Sequence, residues 1–131
     1  MHSVQKVPFF ILVVMLSFLG GASILKSTGI FSIHIRDTEL MFGGAIYLHM
    51  VGSFTLGVLC RLASSKGIIL GLPVTTLFVL FLVVLDESLQ AQIPSRQFSW
   101  LDMTVNVFGL LLGTYFCSVI ATFRSKTKAI H

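Results

Sequence analysis

The chain has 131 residues, of which 55% are hydrophobic and 11% charged, and its mean hydropathy is +0.95. Soluble domains carry about a quarter charged residues, so this composition excludes an ordinary water-soluble domain. The net charge of +4 comes from Lys and Arg scattered at the ends of apolar runs rather than gathered into a patch, which excludes a nucleic-acid-binding face.

Four segments approach the roughly 20 apolar residues that cross a bilayer. They predict helices at about residues 7–25, 43–62, 67–90 and 100–123. The connections leave no room for a soluble domain. The expected architecture is therefore all-α, a single domain over residues 1–131 built as an integral membrane bundle of four transmembrane helices. The first run begins behind a weakly basic hexapeptide and contains Gly21-Ala22-Ser23, as a cleavable leader would. Its apolar stretch nevertheless continues through Ile24 and Leu25 to spanning length, which favours a retained helix. That helix is apolar all round, and no side chain in it offers chemistry.

In the connection that follows, Phe31, Ile33 and Ile35 alternate with Ser32, His34 and Arg36. This period of two is too short to build a sheet alone, and a segment lying along the membrane surface fits equally. His34 is expected to be a solvated loop residue, with Asp37 and Glu39 leading into the second span. In that span Ala45, His49, Ser53 and Gly57 recur at i+4 and line one small, polar face. Ser53-x-x-x-Gly57 lets helices approach closely, so this face should look into the bundle. It carries His49, which is either a structural histidine or, as an ionisable group inside a span, a functional candidate.

A turn through Arg61 and Lys66 leads to the third span, where Pro73 near the start costs little. This helix ends in Asp86-Glu87. The fourth span carries Gly109-x-x-x-Gly113, a second stripe for close packing. Cys60 and Cys117 fall in apolar runs without redox or metal spacing and read as buried free thiols. With four spans, Lys6, Arg61, Lys66, Arg124, Lys126 and Lys128 share one side, against Lys26, Arg36 and Arg96 on the other. The positive-inside rule then makes both termini cytoplasmic.

Three of the five carboxylates lie between residues 86 and 106, at the outward edge of the last two spans. On a continuing helix Gln90 is i+4 from Asp86 and i+3 from Glu87 and can serve either, whereas the two carboxylates sit about 100° apart. Pro94-Ser95-Arg96 reads as a tight reversal, so that Asp102 and Asn106 return to face them and His49 enters from the second span. Glu87, Asp86 and His49 are the candidate acid–base groups. Gln90, Arg96, Asp102 and Asn106 are the candidate binding groups. Stability alone explains part of the stretch: Ser99-x-x-Asp102 is a capping-box variant and Trp100 suits the interfacial aromatic belt. It does not explain the carboxylates at the end of the third helix, which oppose the helix macrodipole by roughly 0.3–1 kcal/mol. His49, Asp86, Glu87 and Asp102 lack the paired-His spacing of a metal site, so no metal and no cofactor is expected.

Asp86-Glu87-x-x-Gln90, then Pro94-x-Arg96-x-Phe98-Ser99-x-x-Asp102, then Asn106-x-x-Gly109-x-x-x-Gly113 resemble the helix 3–helix 4 signature of the VanZ-like family of small bacterial membrane proteins. His49 followed by Phe54, Leu56 and Gly57 is similar to that family's His-bearing second helix. Ala45 and Ile46 stand where the family commonly carries an Asp-Lys pair. The resemblance covers about residues 43–116. It implies a multi-pass protein of the bacterial inner membrane, in a family whose founding member is associated with teicoplanin resistance. The expected partners are the lipid bilayer and a lipid or lipid-linked headgroup, with a homo-oligomer allowed. Two functions stay open: an envelope protein that binds or acts on such a lipid, and a non-catalytic accessory protein whose polar cluster only locks the junction of the last two helices.

Overall fold

The computed structural model describes residues 5–29, 31–64, 68–94 and 98–128, and the fold is mostly helical. In chain order the elements are α1 (Lys6–Ser27), α2 (Ser32–Met41), α3 (Ala45–Ala63), a two-stranded hairpin of β1 (Ile68–Ile69) and β2 (Leu72–Pro73), α4 (Val74–Gln90) and α5 (Trp100–Lys128). Three of them, α1, α3 and α5, are long and apolar enough to cross a membrane.

Two expectations are corrected. Residues 32–41 form a helix, so His34 lies on a helix rather than in the expected loop. Phe31 enters it in the left-handed region at φ 60°, and Gly43 and Gly44, both at positive φ, turn the chain into α3. Lys26 in the last turn of α1 is ion-paired with Glu39, which ties α2 back against α1. The third predicted helix also starts later than residue 67. Ile69 and Leu72 pair around a turn at Leu70 and Gly71, both at positive φ, and Pro73 then serves as the helix N-cap. The remaining 17 residues of α4 rise about 26 Å at 1.5 Å per residue, about two helical turns less than the helix expected over residues 67–90.

The interhelical contacts define the directions. Gln5 N–H bonds Ala63 O, and Leu19 meets Gly52, so α1 and α3 are antiparallel. Thr75 hydroxyl donates to Cys60 O at 2.8 Å, and α4 runs back from there. Ser53 and Met50 meet Gly109, Phe54 and Val58 meet Gly113, and Arg61 Nε donates to Ser118 Oγ at 2.9 Å. The partners climb together, so α3 and α5 are parallel.

That parallel pair is the tightest contact in the molecule, and its cause is the two small-residue stripes. A Cβ on Gly57 would lie within 2.8 Å of Thr114 N and overlap Leu110 O. One on Gly113 would lie 3.1 Å from Val58 N and overlap Phe54 O. Only hydrogen at these positions permits backbone to meet backbone, as in small-xxx-small packing within membranes. The buried core runs alongside, through Leu12, Leu56, Cys60, Ala63, Val79 and Leu110.

The seam also holds a chain of hydroxyls. Thr114 shares its proton between Leu110 O at 2.9 Å and Gly57 O at 3.2 Å, which leaves Thr76, 3.2 Å away, to donate to it. Thr114→Val keeps the shape and removes this junction of three helices. Interhelical hydrogen bonds in membranes are worth about 0.6–1.7 kcal/mol, so unfolding in mixed micelles should show a loss of about 1 kcal/mol.

Large apolar side chains point outward around the bundle, among them Phe10 and Phe18 of α1, Val51 of α3, Phe78 and Phe81 of α4, and Phe108 and Phe116 of α5. An apolar girdle of this extent is a surface for lipid rather than water.

Candidate functional site

The C-terminal ends of α1 and α4 lie at the same end of the bundle, together with the start of α5. Along α4 the buried residues Thr76, Val79, Glu87 and Gln90, with the partly buried Val83, follow a three-to-four-residue spacing and make the stripe that faces the bundle. Glu87 is 3% exposed on this stripe and Gln90 5%. Asp86, one residue before Glu87, is rotated off the stripe and exposed. The two carboxylates at the end of α4 are thus in different environments for a geometric reason, the 100° step of the helix.

Asp86 is the centre of the polar arrangement that the described residues define. Gln90 Nε2 donates to its Oδ2 at 2.9 Å, the i,i+4 bond that the spacing suggests. Ser23 of α1 places its hydroxyl 3.2 Å from Oδ1 and 3.1 Å from Oδ2, and Gln90 Nε2 is 3.4 Å from the same hydroxyl. Ser23, Asp86 and Gln90 form a closed triangle between two helices 63 residues apart in sequence. No buried side-chain nitrogen or oxygen among the described residues lacks a hydrogen-bond partner, Glu87 included.

The triangle lines an open cleft of about 340 Å³ whose walls are Ser23, Ile24, Ser27 and Thr28 of α1 and its C-terminal edge, and Asp86, Leu89, Gln90 and Ile93 at the end of α4. One side is hydroxyl, amide and carboxylate; the other is aliphatic. Ser27 bonds back to Ser23 O at 2.8 Å and Thr28 to Leu25 O at 3.0 Å, so the serine-rich end of α1 satisfies its own last carbonyls while its hydroxyl oxygens border the cleft.

The other sequence candidates are distributed differently. Asp102 N–H bonds Ser99 Oγ at 3.1 Å, so Ser99 caps α5; the Asp102 carboxylate makes no hydrogen bond among the described residues. Phe98 and Trp100 stack edge to face at 4.9 Å beside this cap. Asn106 and His49 are half-buried. The parallel register of α3 and α5 puts them about one turn beyond the contact of Ser53 with Gly109. His49 accepts a bond from Ser53 at its backbone oxygen. Its ring is hydrogen-bonded to neither carboxylate of α4, so the expected convergence of His49 with Asp86 and Glu87 has no direct bond behind it among the described residues. Arg96 lies outside the described residues. No three His, Cys, Asp or Glu side chains among those described gather as a metal site requires.

Ser23 is the residue that sequence reasoning missed, and it corrects the expectation that the first helix offers no chemistry. Its signal was faint but present: Ser23 and Ser27 are i,i+4 in the last turns of an otherwise apolar helix, which gives them one shared face.

No family model, no curated protein and no solved structure matches this chain.

Proposed function

We propose that the cleft between the ends of α1 and α4 holds the polar head of an envelope lipid or lipid-linked precursor, in a VanZ-like multi-pass protein of the bacterial inner membrane. The observation that carries this reading is the Ser23–Asp86–Gln90 triangle, a preorganised polar group at the edge of an apolar girdle with an aliphatic wall beside it. A headgroup needs such a boundary, because its polar atoms and the start of its chains must be served within a few ångströms.

In this reading α4 is a span as well, the third in chain order. Its outward Phe78 and Phe81 continue the girdle, and it packs against both α3 and α5. Both termini are then cytoplasmic, with Lys6, Arg61 and Arg124 at that end, and the cleft opens on the outer face. A second reading has support at one point. Ser99 capping Asp102 N–H is junction chemistry, so Asp102 suits a structural lock better than a ligand.

Native mass spectrometry of the protein released from bacterial membranes tests the proposal. The wild type should retain lipid, and the Ser23→Ala/Gln90→Ala double variant should bind it about thirtyfold more weakly, since two hydrogen bonds are worth roughly 1 kcal/mol each. Equal retention by both proteins would remove the cleft as the site. Product formation in the same preparation would add turnover, with Glu87, Asp86 and His49 the groups to substitute next.

A further inference from the structure

We infer that Arg61 seats the phosphate of an anionic phospholipid, in the leaflet at the end of the bundle where α1 begins and α3 ends. This site lies opposite the cleft and does not depend on it. Arg61 stands in the last turn of α3, half-buried against α5. Its Nε donates to Ser118 Oγ at 2.9 Å and its Nη1 to Ser64 O at 3.2 Å. The Ser118 hydroxyl donates onward to Thr114 O at 2.8 Å, so the guanidinium is anchored across the α3–α5 seam. A guanidinium has five N–H donors; among the described residues the other three meet no acceptor.

The charges are segregated along the bundle. The chain has five carboxylate side chains, Asp37, Glu39, Asp86, Glu87 and Asp102, on α2, at the end of α4 and at the start of α5. All of them lie at the far end, and the one ion pair among the described residues, Lys26 with Glu39, is there too. Residues outside those described contain no aspartate or glutamate, so no acidic side chain pairs with Arg61. The helix ends agree in sign: α1 and α4 begin at this level, where the backbone carries partial positive charge, and neither has an acidic residue in its first turn. A net anionic lipid suits this field, whereas a zwitterionic one brings its own cation into it.

Depth and surroundings fit a lipid rather than a free anion. Gln5 N–H bonds Ala63 O, so Arg61 is level with the first turn of α1. From Lys6 to Lys26 that helix rises about 30 Å, the thickness of a hydrocarbon core, which puts Arg61 at its boundary. Phe54 is seven residues before Arg61 on the same face of α3, and its ring meets that of Phe116 at 5.8 Å. Phe116 and Leu62 are exposed to the girdle. An acyl chain below a phosphate at Arg61 has this apolar seam to lie along.

The test uses the full chain in nanodiscs of phosphatidylcholine doped with phosphatidylglycerol, reading retained lipid by native mass spectrometry and the shift in Tm. The wild type should retain the glycerol lipid about tenfold over the choline lipid, since a charge-assisted hydrogen bond is worth that factor or more. Arg61→Gln should abolish the preference. Arg61→Lys keeps the charge without the planar fork and should reduce it about threefold, which reads the site even where the glutamine variant fails to assemble. Arg124→Gln removes an equal charge from an exposed position on α5 beyond the seam and should leave the preference unchanged. Ser23→Ala/Gln90→Ala should leave it unchanged as well, which separates this site from the cleft. Equal retention of the two lipids by the wild type, equal losses in Arg61→Gln and Arg124→Gln, or full preference in Arg61→Lys would overturn the seat. A rise in Tm with inorganic phosphate alone, in nanodiscs of phosphatidylcholine, would overturn its assignment to a lipid.

Discussion

Gly113→Leu is expected to break the bundle. Its new side chain would have to enter the space held by Phe54 O and Val58 N, which are main-chain atoms of α3 and cannot turn aside. Even Gly113→Ala should cost about 1–3 kcal/mol through overpacking, and leucine about 3 kcal/mol or more, because α3 and α5 would have to separate along their length. Unfolding by titrated denaturing detergent in mixed micelles would measure both. Gly21→Ala supplies the control, since a Cβ there meets nothing within 4 Å. That change should be neutral or stabilise α1 by up to about 1 kcal/mol, the helix-propensity difference between glycine and alanine. Equal behaviour of Gly113→Leu and Gly21→Leu would show that the α3–α5 contact is not there.

The neighbouring carboxylates supply the second large contrast. Glu87 is 3% exposed, and every described buried polar side-chain atom is partnered. Glu87→Leu should therefore leave a hydrogen-bonding group orphaned inside the bundle and cost about 1–3 kcal/mol, or more if that group is charged. Glu87→Gln, which keeps an acceptor oxygen and the shape, should cost less. Asp86→Leu, on the exposed side of the same turn, removes the acceptor of the Ser23 and Gln90 bonds where water can replace it, and should cost about 1 kcal/mol, less than Glu87→Leu. The detergent titration separates them; equal losses at residues 86 and 87 would contradict their opposite burial.

Much of this arrangement could be read from the sequence, for a specific reason. Glycine and serine at i+4 inside apolar helices have few purposes besides close approach. The stripes Ser53-x-x-x-Gly57 and Gly109-x-x-x-Gly113 thus announced which faces turn inward, and these faces do meet. The step from Asp86 to Glu87 likewise foretold that the two would face different surroundings, one exposed and one buried. What was hidden lay where the pattern was weak or competed with another. In residues 31–36 the alternation of Phe, Ser, Ile, His, Ile and Arg imitates a strand, while the helix that forms there rests on a long-range tie, Lys26 to Glu39. The delayed start of α4 depends on a left-handed Leu70, which no propensity favours at leucine.

The site was legible in its α4 half and hidden in its α1 half. Gln90 and Asp86 are neighbours on one helix, and spacing alone relates them. Ser23 reaches Asp86 only because α1 and α4 come up on the same side of α3. The i,i+4 serines near the end of an apolar helix mark a polar face but do not name a partner 63 residues away. His49 misled in the opposite sense, since a shared level in the membrane does not bring its ring to either carboxylate.

The parallel contact of α3 with α5 has a consequence for biogenesis. Two parallel helices cannot be joined by a short turn; the chain must first travel back along the bundle, and α4 is that return. Gly57 therefore waits through 56 further residues of synthesis before Gly113 exists to fill the groove beside it. Until then α3 has α1 as its antiparallel neighbour and a strip of bare backbone on its other side. Quality control in the membrane would meet this protein as a helical hairpin with an open seam, and its lifetime there would be set by how fast the last helix arrives.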